Sequence, residues 1–213
     1  LFLKSKFIEM FGSIKENFNN FDIEPIKNFG EIITGNTPPR KEEEYYNDNF
    51  IEWIKTDNIH SNKQYVTTAS EYLSEKGMKK GRVLKKSGLL ITCIAGSLKS
   101  IGNVAMTDRK ITFNQQINAI QPFENIEPLF LYWLIKLNKN YIQTFATSSM
   151  KKIITKGEFQ EIKFIKPPFK LQERFSQIAY KMTEMKEKEN QKLKQLEDLH
   201  NSMMNKAFKG EIQ

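Results

Sequence analysis

The sequence predicts an α+β protein: a mixed α/β globular domain followed by a long coiled-coil-type α-helix. Three observations carry this. Residues 26–169 break short apolar runs with Gly, Pro and Asn, as strands and turns do. Residues 170–209 contain neither Gly nor Pro. Within them, apolar side chains recur at Leu171, Phe175, Ile178, Met182 and Met185 with a 4-3-4-3 spacing, the period of a coiled-coil seam. The expected divisions are 1–12, 13–169 and 170–213.

Residues 5–12 echo residues 202–210, with one residue inserted before the closing Gly. Residues 1–12 are therefore expected to be the end of an earlier long helix, closed by Gly12. Within the globular part, strands are expected over 50–55, 89–95, 103–107 and 117–121 from their apolar, β-branched composition. Residues 71–79 suggest a short helix ended by Gly81. Residues 128–145 suggest a longer one, with Pro128 at its start and Leu129, Tyr132, Trp133, Ile135 and Lys136 on a broad face. Phe164-Ile165 suggests a last strand, stopped by Pro167-Pro168. The long helix then runs over 170–208, with Gly210 after its end. Its seam passes through Glu189 and Lys192 before returning to Leu196, Leu199 and Met203. At about 1.5 Å per residue such a helix reaches ~57 Å, longer than a small domain is wide. Its stripe needs a partner helix, and Leu171, Phe175, Ile178, Met182, Met185, Leu196, Leu199 and Met203 are the expected pairing residues.

The chain has 213 residues and a formal charge of +8. Residues 76–110 hold nine basic and one acidic residue, and residues 150–170 hold six and two. Residues 1–75 are net acidic. Two short segments thus carry the whole excess, a pattern suited to a polyanion such as nucleic acid. Expected phosphate contacts are Lys79, Lys80, Arg82, Lys85, Lys86 and Lys99 in the first segment, and Lys151, Lys152 and Lys156 in the second. Arg40 and Arg82 can each serve a guanine or a phosphate. Ser97, Ser148 and Ser149 are candidate polar contacts. Sixteen Phe and seven Tyr exclude a disordered chain. A single Cys excludes a disulfide framework and fits a reducing, cytoplasmic setting. The longest nearly apolar run, 89–95, is far below the roughly 20 residues that span a bilayer, so no membrane association is expected.

No catalytic residue and no metal site is expected. Lys166-Pro167-Pro168-Phe169 has the shape of an amino-methyltransferase motif, but Lys cannot accept the hydrogen bond that motif requires. No glycine-rich turn is present to cradle a cofactor. Glu161-Ile162-Lys163 has a nuclease-like spacing without a convincing upstream Asp to share a magnesium ion. His60 stands in a polar run with no second ligand nearby, and Cys93 sits in an apolar strand as a core thiol.

Residues 29–40 (Phe-Gly-Glu-Ile-Ile-Thr-Gly-Asn-Thr-Pro-Pro-Arg), Tyr45-Tyr46 and Ile54-Lys55-Thr56-Asp57-Asn58-Ile59 resemble the opening of a target recognition domain. Such domains belong to the specificity subunits of type I restriction-modification enzymes. Ser87-Gly88-Leu89-Leu90-Ile91, Gly96-Ser97 and Ile101-Gly102-Asn103-Val104-Ala105 resemble its centre. Residues 113–122 (Phe-Asn-Gln-Gln-Ile-Asn-Ala-Ile-Gln-Pro) resemble its second hallmark. Residues 165–173 resemble the exit into a spacer helix. The resemblance implies a non-catalytic, sequence-specific DNA-binding subunit that reads one half of a bipartite site and scaffolds methyltransferase and restriction subunits. The chain itself needs no cofactor; S-adenosylmethionine belongs to the partner methyltransferase. Residues 1–12 would be the tail of a preceding spacer helix, 13–169 the target recognition domain and 170–213 the spacer. The long helix would pair with a second copy or a second half of the subunit. Asn114, Gln115 and Gln116 can pair with adenine, but they lie in a motif shared by readers of different sequences, which favours a role in tying strand ends together. The stretches 56–86, 97–100 and 147–156 are better placed to read bases. Two alternatives stand beside this: the recognition portion of a single-chain restriction-methyltransferase, and a helical interaction protein without DNA specificity.

Overall fold

The computed structural model describes residues 2–12, 17–147 and 153–208. Packing divides the chain into two units, Leu1–Glu173 and Arg174–Gln213.

The first unit opens with α1 (Phe2–Phe11). Gly12 closes it at φ 71, its N–H donating to the Ile8 carbonyl at 2.8 Å. That left-handed conformation suits a residue without Cβ. Phe7 and Phe11 are buried and meet the Phe130 ring at 5.7 and 5.0 Å, so α1 is part of the first unit's core.

Among the described residues ten strands follow: β1 (Asp22–Pro25), β2 (Gly30–Thr34), β3 (Ile51–Ile54), β4 (Tyr72–Leu73), β5 (Val83–Leu84), β6 (Leu89–Thr92), β7 (Val104–Met106), β8 (Ile111–Phe113), β9 (Ile117–Pro122) and β10 (Lys163–Lys166). They form three sheets. The antiparallel sheet β2-β9-β6-β7 and the mixed sheet β4-β3-β8-β5 are joined by the short turn from β8 into β9. Strands β1 and β10 make a separate antiparallel pair. Leu84, Leu90, Ala105, Ile111, Phe113, Ile117 and Ala119, drawn from both four-stranded sheets, form one core cluster with Ile54 and Ile59. All four residues of β6 are buried, which is why its sequence is a continuous apolar run instead of an alternating one. The opposite side of β3 buries Trp53 with Ile51 and Leu73, and Tyr46 and Met78 pack on them.

Two expected helices are reshaped. Residues 71–79 do not form one helix: Tyr72 and Leu73 pair with β3, and α2 (Glu75–Lys80) begins only after Ser74. The Ser74 hydroxyl explains the switch, accepting from the Gly77 N–H at 3.1 Å as an N-cap does. A Cβ on Gly77 would sit 2.3 Å from the Tyr45 carbonyl oxygen, so only Gly fits the approach. The expected helix over 128–145 is split into α3 (Pro128–Leu137) and α4 (Lys139–Thr147). Asn138 breaks it by donating its side-chain amide to the Leu134 carbonyl at 2.8 Å, in competition with the backbone. A one-and-a-half-turn helix, α5 (Lys156–Gln160), starts at a capping box between Thr155 and Glu158.

The last helix, α6 (Phe169–Phe208), has 40 residues, and most of it makes the second unit. Along the expected seam, Phe175 is buried while Met185, Leu196, Leu199 and Met203 are 59, 63, 56 and 53% exposed. The helix carries the ion pairs Glu184–Lys188 (2.7 Å) and Glu189–Lys192 (2.9 Å). Among the described residues, no helix is long and apolar enough to cross a membrane. Gly210 lies outside them.

Candidate nucleic-acid interface

Strand polarity decides which loops meet. Thr34 at the end of β2 pairs with Asn118 at the start of β9, and Thr92 at the end of β6 pairs with Ile117. Phe113 at the end of β8 lies opposite Ile54 at the end of β3, because those two strands are parallel. The segments 35–40, 55–58, 93–103 and 114–116 therefore leave the sheets at one common end. Ile154 joins them through its N–H to the Cys93 carbonyl (2.9 Å), which brings Thr155 and Lys156 to the same end.

This end is a built surface. The N–H groups of Gly35 and Asn36 donate to the carbonyls of Ile117 (3.1 Å) and Phe113 (3.1 Å). A Cβ on Gly35 would lie 2.1 Å from the Asn114 carbonyl oxygen, so glycine is required for that crossing. The N–H groups of Cys93 and Ile94 share the Gln116 carbonyl at 2.9 and 3.0 Å. Asn114 is spent internally: its oxygen accepts from the Gln116 N–H (3.1 Å) and its amide donates to the Gln116 side chain (3.0 Å). The Thr34 hydroxyl donates to Asn118 at 2.6 Å. Gln115 is exposed and accepts from the Thr37 hydroxyl. The tying role expected for this motif thus belongs to Asn114 and Asn118, while Gln115 stands at the surface. Cys93 is buried, and burial pushes its thiol up to about 12, so no reactive thiolate forms there.

The structure separates the basic candidates. Lys80 is beside the 35–40 loop, its carbonyl accepting from the Asn36 amide at 2.8 Å. Lys99 and Ser97 lie on the 93–103 loop, where the Ser97 hydroxyl accepts from the Lys99 N–H at 3.2 Å. Lys85 and Lys86 are elsewhere. The Lys85 N–H donates to the Gln121 side chain, and Leu89 opens β6 at the far end of the same sheet. Arg82 stands one residue before β5, and the antiparallel pairing of Val83 with Thr112 sets it toward the Phe113 end of β8, the loop end. Lys79 is paired with Glu75 at 3.0 Å. Ser148, Ser149, Lys151 and Lys152 lie outside the described residues.

Arg40 is committed differently from Arg82. Its guanidinium stacks 4.8 Å from the Tyr46 ring and 4.6 Å from the Trp53 ring, and one amino group binds Glu71 at 2.7 Å. Lys55 binds the other oxygen of Glu71. Arg82 is exposed and takes part in no ion pair found among the described residues. Arg109, inside the first basic segment, is structural. It grips Glu52 through two nitrogens and donates to the Thr67 carbonyl at 3.3 Å. Its fork holds the Glu52 carboxyl below the usual carboxylate range.

Three further lysines reach this end from positions that composition does not flag. Lys136 on α3 donates to the Tyr132 hydroxyl at 2.7 Å and lies 5.0 and 5.3 Å from the Tyr132 and Trp133 rings. Lys139 on α4 donates to the Lys99 carbonyl (2.5 Å) and the Asn103 side chain (2.6 Å). Lys63 is reached through its carbonyl, which accepts from the Tyr132 hydroxyl at 3.4 Å. The sequence places Lys136 within an apolar helix face, where periodicity counts its stem and overlooks its charge.

The type I restriction modification DNA specificity domain model matches residues 19–198. The HindI type I restriction enzyme specificity subunit of Haemophilus influenzae is 24% identical over 197 residues, covering 90% of this chain and 42% of that protein. The chain therefore spans less than half of that relative. A chain solved in work on complex assembly and conformational transition of the type I R-M system superposes with a TM-score of 0.67 at 18% identity, over all of this chain and 52% of that one. The HsdS subunit from Thermoanaerobacter tengcongensis superposes at 0.62 with 17% identity, over 99% of this chain and 50% of that one. At these identities the superpositions show a shared fold. With the family model covering most of its length, this chain belongs to the type I restriction-modification DNA specificity domain family.

Proposed function

We propose that the chain is a DNA half-site reader: one target recognition domain with its spacer helix, without catalysis of its own. The observation that carries this is the convergence of the family's hallmark loops at one end of the two sheets, with Lys80, Lys99 and Lys156 beside them and, among the described residues, outside the ion pairs that neutralise other surface lysines. Cations there contact phosphates and set position; exposed polar side chains such as Gln115 and Ser97 are within reach of base edges. Affinity should fall steeply with salt, with a log–log slope of about −0.9 per phosphate neutralised.

The methyltransferase and restriction subunits of such a system are the partners this reading assigns, with S-adenosylmethionine carried by the methyltransferase. The exposed second half of the α6 seam supports pairing with a second copy or with a second specificity half. In an antiparallel pair, Glu189 and Lys192 would cross near the middle. A DNA reader of this kind works in the cytoplasm beside the chromosome. Selection from a random duplex library with the purified chain tests the reading. Enrichment of one short sequence supports it; recovery of unselected sequence, or DNA methylation or cleavage by the chain alone, overturns it.

A further inference from the structure

The backbones of Lys63 and Lys99 and the ammonium of Lys136 are all fastened to the α3–α4 face beside the loop surface. Three elements bring them there. The Tyr132 hydroxyl links the Lys136 ammonium (2.7 Å) to the Lys63 carbonyl (3.4 Å). Lys139 fixes the backbone of Lys99 and the side chain of Asn103. Gln143 on α4 donates to the carbonyls of Leu98 (2.8 Å) and Ile101 (3.0 Å), so the 98–103 turn is pinned from outside.

None of these three ammonium groups joins an ion pair among the described residues, whereas eleven such pairs form elsewhere on them. Lys136 is half-buried between aromatic rings and spends one N–H on a neutral hydroxyl. A partly desolvated cation without a counter-charge is costly, and an incoming anion offsets that cost. Lys80 stands on the other side, next to the loop that leaves β2. The edge strands β2 and β7 are three strand spacings apart in a four-stranded sheet. At about 4.8 Å per spacing this is ~14 Å, close to the roughly 12 Å width of the major groove.

Resting on the half-site reading, we propose that Lys63, Lys99 and Lys136 form a second phosphate clamp, engaging the backbone of the DNA strand opposite the one met by Lys80. Lys139 is a positioning residue that sets the clamp by holding the Lys99 turn.

The test uses the full chain and the duplex recovered by selection. Anisotropy titrations over a salt series read the number of phosphates. Lys136→Gln and Lys63→Gln should each reduce the steepness of the salt slope by about 1 and leave the selected sequence unchanged. Lys136→Met, which keeps the packing of the stem, gives the same loss if the charge is what matters. Lys163→Gln, on β10, should leave the slope as it is. Phosphate-ethylation interference assigns the strands: Lys136→Gln should remove interference on one strand and Lys80→Gln on the other. Unchanged slopes for both Lys136→Gln and Lys63→Gln, or loss of contacts on the same strand for Lys136 and Lys80, overturn the clamp. Failure of the unaltered chain to bind any duplex overturns the half-site reading itself.

Discussion

Glu52 and Glu71 show how single carboxylates organise a basic surface. Glu52 accepts the Ala69 N–H at 2.8 Å and the Arg109 fork, joining the 66–70 segment to the turn before β8. Its lowered carboxyl pKa arises first from the Arg109 hydrogen bonds. A carboxylate depressed in the folded state adds stability above its ordinary value near 4.5 and loses it as pH falls through the depressed value. Glu52→Gln should therefore cost about 1–2 kcal/mol at pH 7, with the gap to the unaltered protein closing as pH falls below 4.5. Urea melts across that range check it. Glu71 ties Arg40 and Lys55 together over Trp53. The sequence names Arg40 as a candidate but cannot reveal that its fork is already partly engaged, because its partner lies 31 residues away. Leu90, fully buried on β6, is a plain core residue by either route. Leu90→Ala should cost about 2–5 kcal/mol in thermal or chemical unfolding.

At the scale of elements, local chemistry overrides periodicity at two capping residues. Ser74 turns an expected helix into a strand followed by a short helix, and Asn138 cuts one helix into two. The second break has a consequence for function, because Lys136 and Lys139 sit on either side of it. Burial lowers the pKa of Lys136. A lysine depressed in the folded state costs stability at neutral pH, and the cost fades as pH rises through its depressed value toward 10.5. Lys136→Met should thus raise the melting temperature at pH 7 by about 1–2 °C while weakening DNA binding, an opposition that a purely structural lysine would not show. The α6 helix has its own test. Leu196→Asp together with Leu199→Asp should abolish any self-association seen by light scattering, with the near-UV spectrum of the globular unit unchanged. Association that survives the double change argues that this half of the seam is not the pairing face.

On the scale of the whole molecule, the contiguous basic segment of the sequence is not one patch. Its residues run from the loop end at Lys80, along β5, to the opposite end at Lys85 and Lys86. If duplex DNA lies across the loop end, Lys80→Gln and Lys99→Gln should flatten the salt dependence more than Lys85→Gln or Lys86→Gln. Equal effects from both ends would mean that the duplex runs along the sheets and not across them.

By itself, the sequence determines the α+β class, the long α6 helix, the central strands and the order of family motifs. Each of these is a local pattern: an apolar run, a heptad spacing, a Gly or Pro at a turn. It does not determine which motifs meet. The parallel pairing of β3 with β8 and the antiparallel pairing of β2 with β9 carry four distant loops to one end. Strand direction is set by tertiary packing, and one dimension of sequence does not record it. The same holds for charge. Composition finds lysines that are neighbours in the chain, whereas the loops that carry Lys63 and Lys99 reach the helix of Lys136 only when Tyr132, Lys139 and Gln143 fasten them to the α3–α4 face.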